Sequence, residues 1–139
     1  MKNLSDLEKK INSELGTKIK STKINHKHIC INIENENLLE VVLFLKNNNE
    51  TKFRQLIDIT AVDYPENERR FKLVYFFLSH EFNSRIIIDF FINENEVANT
   101  LTSVFPSSNW MEREIFDMYG IRFKNHPDLR RILTDYGFK

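Results

Sequence analysis

Two neighbouring stretches, "FKLVYFFLS" at 71–79 and "RIIIDFFI" at 85–92, constrain this chain more than any others. A strand with one face in water alternates apolar and polar residues. These do not. Phe71, Leu73, Tyr75 and Phe77 fall on one face of the first stretch, and Val74, Phe76 and Leu78 fall on the other. The second stretch is apolar on both faces except at Asp89. The short "HEFN" between them suits an antiparallel hairpin. The fold must therefore contain a sheet with two faces that both need cover.

The remaining pattern supplies cover for one of them. Leu4, Leu7, Ile11 and Leu15 recur at helical spacing over 3–15, with Ser5 or Asn3 as a cap and Gly16 as a stop. "KIKSTKI" and "HICINI" alternate as two strands around a tight turn at Asn25–His26. Leu38–Leu45 reads as a second helix, Phe53–Val62 as a third strand and Glu94–Val104 as a further helix. The fold class is α+β, a two-layer helix-strand-strand-helix-strand-strand-strand order with a mostly antiparallel sheet. C-terminal helices and an extended arm follow. Residues 1–105 are expected to form the sheet domain, and 106–139 a helix (109–120) plus the arm. The first two helices can cover one side of the sheet. The other is left to the C-terminal third or to another protein chain.

Length and composition narrow the function. A chain of 139 residues can bury one core without staples. Twenty basic and twenty acidic residues cancel, so no overall positive field draws in nucleic acid or anionic lipid. The single cysteine, Cys30, excludes an internal disulfide and cannot alone hold an iron–sulfur cluster or a thiolate zinc site. The longest apolar runs fall well short of the ~20 residues that span a bilayer. "MKNLSDLEKK" has neither an apolar signal core nor the acid-poor character of a transit peptide. The chain is thus expected to work where it is made. Abundant Asn, Ile, Lys and Phe with scarce Gly, Pro and Ala suggest an AT-rich coding genome, organellar or endosymbiotic.

"NWMEREIFDMYG" at 109–120 mixes charge with large apolar groups. Asn109 is a suitable N-cap, Glu112 its capping-box partner and Gly120 the stop. Met111, Ile115, Phe116, Met118 and Tyr119 lie along a broad apolar arc, opposite Arg113, Glu114 and Asp117. Glu112 and Glu114 point apart and cannot form a cooperating dyad. Glu112 lies inside the apolar arc, either as a partly solvated cap or as a buried carboxylate demanding a partner, for which Arg130–Arg131 is the nearest arginine source. Beyond Gly120, Pro127 and Gly137 interrupt a segment rich in Leu, Ile, Tyr and Phe, which reads as an irregular arm lying on the sheet or on a partner.

Other chemistry is weakly supported. His126, Asp117 and Asp128 lack the repeated spacing of metal ligands. Asp58 and Asp63 in "LIDITAVDYP" could, with Glu112, serve a stand-alone small-molecule enzyme, but an ion pair and a strand-end hydrogen bond explain them more simply. No phosphate loop, Ser-His-Asp order or C-x-x-C is present. His26 and His28 flank the first hairpin turn as solvated side chains. The aromatic strand lacks the glycine of an RNA-recognition signature.

Together, "TAVDYP" (60–65), "RFKLVYFFLSHEFNSRI" (70–86), "FPSSNWMEREIFDMYGIRF" (105–123) and "HPDLRRILTDYGF" (126–138) closely resemble the 30 kDa subunit family of respiratory complex I, the proton-pumping NADH:quinone oxidoreductase. The resemblance runs in register over about 53–138. It implies a core subunit of the hydrophilic arm, a structural scaffold for electron transfer from NADH to quinone. Its partners would be chiefly the 49 kDa-type subunit and the subunit bearing the terminal iron–sulfur cluster, and the chain would be peripheral to the membrane. It also implies no catalytic residue, cofactor or metal in this chain, with FMN and iron–sulfur clusters in partner subunits. The family's charged positions fall on Glu112, Arg113, Glu114, Asp117, Asp128, Arg130 and Arg131; with His126 they are expected to lock the fold or its interfaces. The expected location is the matrix side of the mitochondrial inner membrane, with the cytoplasmic face of a bacterial inner membrane as the alternative. Met111 stands where the family more usually has an aromatic or Leu. The chain also stops at Lys139, where relatives continue into a basic tail, which points to a shortened subunit or an incomplete product.

Overall fold

A computed structural model describes residues 4–127. Helix α1 (Leu4–Leu15) buries Leu7, Ile11 and Leu15. A single 3-10 turn leads from it into the hairpin β1 (Ile19–Asn25) and β2 (His28–Ile33). The tight turn falls on His26 and Lys27, one residue later than expected, because His26 takes the left-handed conformation (φ 58°). Helix α2 (Leu38–Asn47) buries Leu38, Val41, Val42 and Leu45. Its last turn is closed by Asn48 N–H donating to the Phe44 carbonyl and by the Thr51 hydroxyl donating to Leu45 O at 2.7 Å. Strands β3 (Gln55–Asp63), β4 (Phe71–Ser79) and β5 (Ser84–Ile92) follow, the last two joined by the expected hairpin.

The five strands form one sheet in the order β1-β2-β5-β4-β3. Every pairing is antiparallel except β2 with β5, which run parallel because α2, β3 and β4 intervene between them. Bulges interrupt β1 between Ile19 and Ser21 and β3 between Leu56 and Asp58.

The two sheet faces differ sharply. On the inner face, Ile29, Ile31 and Ile33 of β2, Leu73, Tyr75 and Phe77 of β4, and Ile86, Ile88, Phe90 and Ile92 of β5 are buried. Both N-terminal helices and the segment beyond β5 pack on this side, making one core. On the outer face Val74, Phe76, Leu78, Ile87 and Phe91 are only half-buried.

The segment 94–104 is not the helix that its pattern predicts. It turns at Glu94–Asn95, pairs as β6 (Ala98–Asn99) in parallel with β7 (Phe123–Lys124), then turns again. Side chains here compete for the backbone groups a helix would use: Glu96 accepts the Asn93 N–H, and Thr100 Oγ1 accepts the Thr102 N–H. The ladder Ala98 N–H to Arg122 O and Thr100 N–H to Lys124 O then fixes the extended form. Helix α3 (Ser108–Tyr119) ends at Gly120, whose φ of 74° is the left-handed stop expected from the sequence.

Candidate functional site

Helix α3 begins at Ser108 with Ser107 at its N-cap, so Asn109 is not the cap. That places Glu112 five positions into the helix, beyond the reach of a capping box. The carboxylate instead turns inward and is fully buried. Its Oε1 accepts the Thr100 hydroxyl at 2.6 Å and its Oε2 accepts the Leu101 N–H at 2.8 Å. The His126 side chain, fully buried, holds Nε2 3.8 Å from Oε1 and 3.2 Å from the Asn109 carbonyl. A carbonyl only accepts, so that contact places the Nε2 proton on the side of Asn109. Of the two readings of Glu112 the buried one describes the structure. Among the described residues the groups around it are the Thr100 and Ser108 hydroxyls, the Leu101 amide and the His126 imidazole, while Arg130 and Arg131 lie outside the described residues.

Burial raises the Glu112 carboxyl from its ordinary value to about 7, against the pull of the Thr100 hydroxyl and the Leu101 N–H. Tyr75, on the inner face of β4, is fully buried, and its hydroxyl has no hydrogen-bond partner among the described residues. Burial pushes that phenol well above its usual range, and the Glu112 charge adds to the push. The carboxylate thus clamps α3, the 100–102 turn and the segment at 126 onto one point of the core. Thr100 and Leu101 are not legible as its partners in the sequence, because the apolar spacing of their segment is helical.

The other singled-out residues spread around this clamp. Arg113 is half-buried with its guanidinium 5.6 Å from the Trp110 ring centroid, a cation–π geometry. Its Nε has no hydrogen-bond partner among the described residues. Glu114 is exposed and, with Met118, lines a shallow cleft of about 230 Å³ between α3 and β3. Asp117 is half-buried. Asp128, like the two arginines, lies outside the described residues. His26 is exposed at the turn, whereas His28 is half-buried on the outer sheet face.

The carboxylates considered for catalysis do not converge. Asp58 is exposed, and one of its oxygens accepts the N–H of the next residue, Ile59, at 2.9 Å. Asp63 grips Arg70 through both oxygens at 2.7 and 2.9 Å, and Arg70 also holds Glu94 at 2.6 Å. Asp58 and Asp63 are five residue steps apart along the strand, about 16 Å at ~3.3 Å per step. Glu112 is sealed from both. No cluster of three or more metal-ligating side chains occurs among the described residues.

Fold and site together define a two-layer α+β packing domain, in which the one deeply buried carboxylate among the described residues ties the protein's own elements together. A family model, the respiratory-chain NADH dehydrogenase 30 Kd subunit, matches residues 31–139. The NADH-quinone oxidoreductase C-subunit of Ruegeria pomeroyi is 44% identical over 140 residues, covering 98% of this chain and 70% of the relative. The corresponding protein of Dinoroseobacter shibae is 50% identical over 119 residues, covering 86% of this chain but 55% of its own length. The trypsin-resistant fragment (1–134) of Nqo5 superposes with a TM-score of 0.74 at 25% identity, over 91% of this chain and 98% of the fragment. The chain belongs to the respiratory-chain NADH dehydrogenase 30 Kd subunit family.

Proposed function

We propose that this chain is a scaffold subunit in the hydrophilic arm of a proton-pumping NADH:quinone oxidoreductase, holding neighbouring subunits in register for electron transfer from NADH to quinone. The observation that carries the reading is the family match across 31–139. The geometry supports it: the carboxylates are dispersed, and the conspicuous buried one serves packing. Electron carriers, FMN and iron–sulfur clusters, belong in this reading to partner subunits. The nearest partners are the 49 kDa-type subunit and the one bearing the terminal cluster. The site residues Glu112, Arg113, Glu114, Asp117 and His126, with Asp128, Arg130 and Arg131 beyond them, lock the fold or its interfaces.

No helix among the described residues is long and apolar enough to cross a membrane. Both relatives described above are bacterial, favouring the cytoplasmic face of a bacterial inner membrane over the matrix side of the mitochondrial one. Detergent extraction of host membranes, purification through a tag on this chain and mass spectrometry of the eluate test the reading. Flavin- and cluster-bearing subunits should co-elute with NADH:quinone activity. A chain recovered alone from the soluble fraction, at native expression, would end it.

A further inference from the structure

The outer face of the sheet is the one side that no described element covers. Helices α1 and α2 lie across the inner face, with the 98–105 segment and α3 beside them. Phe105 meets Phe77, Tyr119 meets Phe71, and the Thr22 hydroxyl donates to Glu8 of α1, all on that side. Opposite, strand register lines up a single row across the whole sheet: Lys23, Cys30, Ile87, Phe76 and Asp58. The row has a cation at one end, three half-buried apolar groups in the middle and an anion at the other end. Arg85, on the central strand β5, stands beside His28 of β2 and next to Ile87 along its own strand, and with Phe76, Asp58 and Thr60 these residues line a depression of about 420 Å³. Lys23, Arg85 and Asp58 have no ion-pair partner among the described residues, whereas Arg69 and Arg70 at the sheet's edge are paired.

We infer that this outer face is a docking surface for an amphipathic segment of a neighbouring protein subunit. The segment lays apolar side chains on Cys30, Ile87 and Phe76, an acidic group against Lys23 at one end of the row, and a basic group against Asp58 at the other. The inference rests on the reading of this chain as a subunit of a larger assembly, and it adds which face meets the partner and with what polarity. Size agrees. Four strand spacings of ~4.8 Å make the row about 19 Å long. Strands of seven, six, nine, nine and nine residues give a face of roughly 630 Å², somewhat below the ~800 Å² that each side contributes to a standard protein interface. Unpaired charges flanking an apolar floor set the orientation of an incoming segment and disfavour the reverse one.

Cys30, the only cysteine of the chain, lies in the row one strand from its centre and reports on it directly. The test measures its alkylation by a neutral maleimide at one pH, in the purified complex and in the full chain after release by mild chaotrope. Labelling in the complex should be at least about tenfold slower than in the released chain, the equivalent of ~1.4 kcal/mol of protection. Equal rates would overturn the inference. So would slow labelling of the released full chain that becomes fast on truncation after Pro127, because the protein's own C-terminal segment would then be the cover. Exchanges Lys23→Glu and Asp58→Lys should each lower the fraction of subunit retained in the complex, more so at low salt. Retention equal to the native chain at every salt concentration would remove the charge argument and the inference with it. A native chain that never enters the complex would instead defeat the subunit reading itself.

Discussion

Replacing Glu112 by Gln should flatten the pH dependence of this protein's stability in a defined window. The folded carboxyl keeps its proton until about pH 7, while the unfolded one releases it near 4.5. Between those values the folded state binds more proton than the unfolded state, so unfolding free energy falls as pH rises, by about 1.4 kcal/mol per pH unit. Glu112 therefore stabilises fully below pH 4.5, loses that advantage progressively up to 7 and contributes no further slope above it. The whole excursion is about 3 kcal/mol, a large share of a small domain's stability. Gln keeps an acceptor for the Leu101 N–H and offers an amide to the Thr100 hydroxyl without a charge to desolvate. The assay is urea unfolding of the native chain and the Gln variant from pH 4.5 to 8, comparing their difference. The native chain should lose about 3 kcal/mol relative to the variant on going from pH 4.5 to 7.5. His126 and the Tyr75 phenol face the same carboxylate, so the series is repeated with His126→Gln and Tyr75→Phe in both proteins, and the difference should persist. A flat or rising difference would refute the reasoning, since donors and not burial would then dominate the carboxylate's energetics.

The two-faced sheet makes a paired prediction on adjacent residues. Ile88→Ala empties a fully buried inner site and should cost about 2–5 kcal/mol, read from the urea midpoint. Ile87→Ala, half-buried on the outer face, should cost the isolated chain about 1 kcal/mol or less yet reduce its recovery in the complex. Equal losses of stability at both positions would contradict the assignment of faces. Gly120→Ala forces a side chain into a backbone with φ 74° and should destabilise by about 1–2 kcal/mol in the same urea assay, although a methyl group there has open space around it.

What the sequence discloses about the fold follows from period. Leu7, Ile11 and Leu15 fix α1 because a 3.6-residue stripe has no other use, and the double apolar faces of 71–79 and 85–92 require central strands. The segment 94–104 resists for the opposite reason. Val97, Leu101 and Val104 have helical spacing, but the outcome is decided by hydrogen bonds to Arg122 and Lys124, more than twenty residues away. The cap of α3 is obscured by the same logic: Asn109 and Ser107 are both competent caps, and a turn closed by Ser108 N–H to Phe105 O starts the helix early. That shift of two residues turns Glu112 from a surface cap into a core carboxylate. Its position within the apolar arc of α3 is the signal that can be read, and its partners stay hidden because they sit on a segment whose local pattern misleads.

The outer face carries a polar interruption that makes sense only if the chain must survive both alone and assembled. Asn32 Nδ2 donates to Asp89 Oδ1 at 2.6 Å, and Lys72 Nζ stands 3.8 Å from the same carboxylate, so β2, β5 and β4 each contribute one member. This stripe separates Cys30, Ile87, Val74, Phe76 and Leu78 from Phe91 and Val62, with Tyr64 packed against Phe91 at 5.7 Å between centroids. Exposed apolar patches beyond a few hundred Å² invite association with any greasy surface. Dividing one patch into two keeps each below that size in the free subunit, while leaving apolar area for a partner that can bridge the stripe. The polar row also penalises misplacement, because a partner shifted along the strands would lay apolar groups over Asp89 and Lys72 and strip them of water, a cost their mutual pairing offsets only in part. The internal clamp at Glu112 accords with this division: it ties α3 to the turn at 100–102 on the inner side, and the outer face is left clear of both.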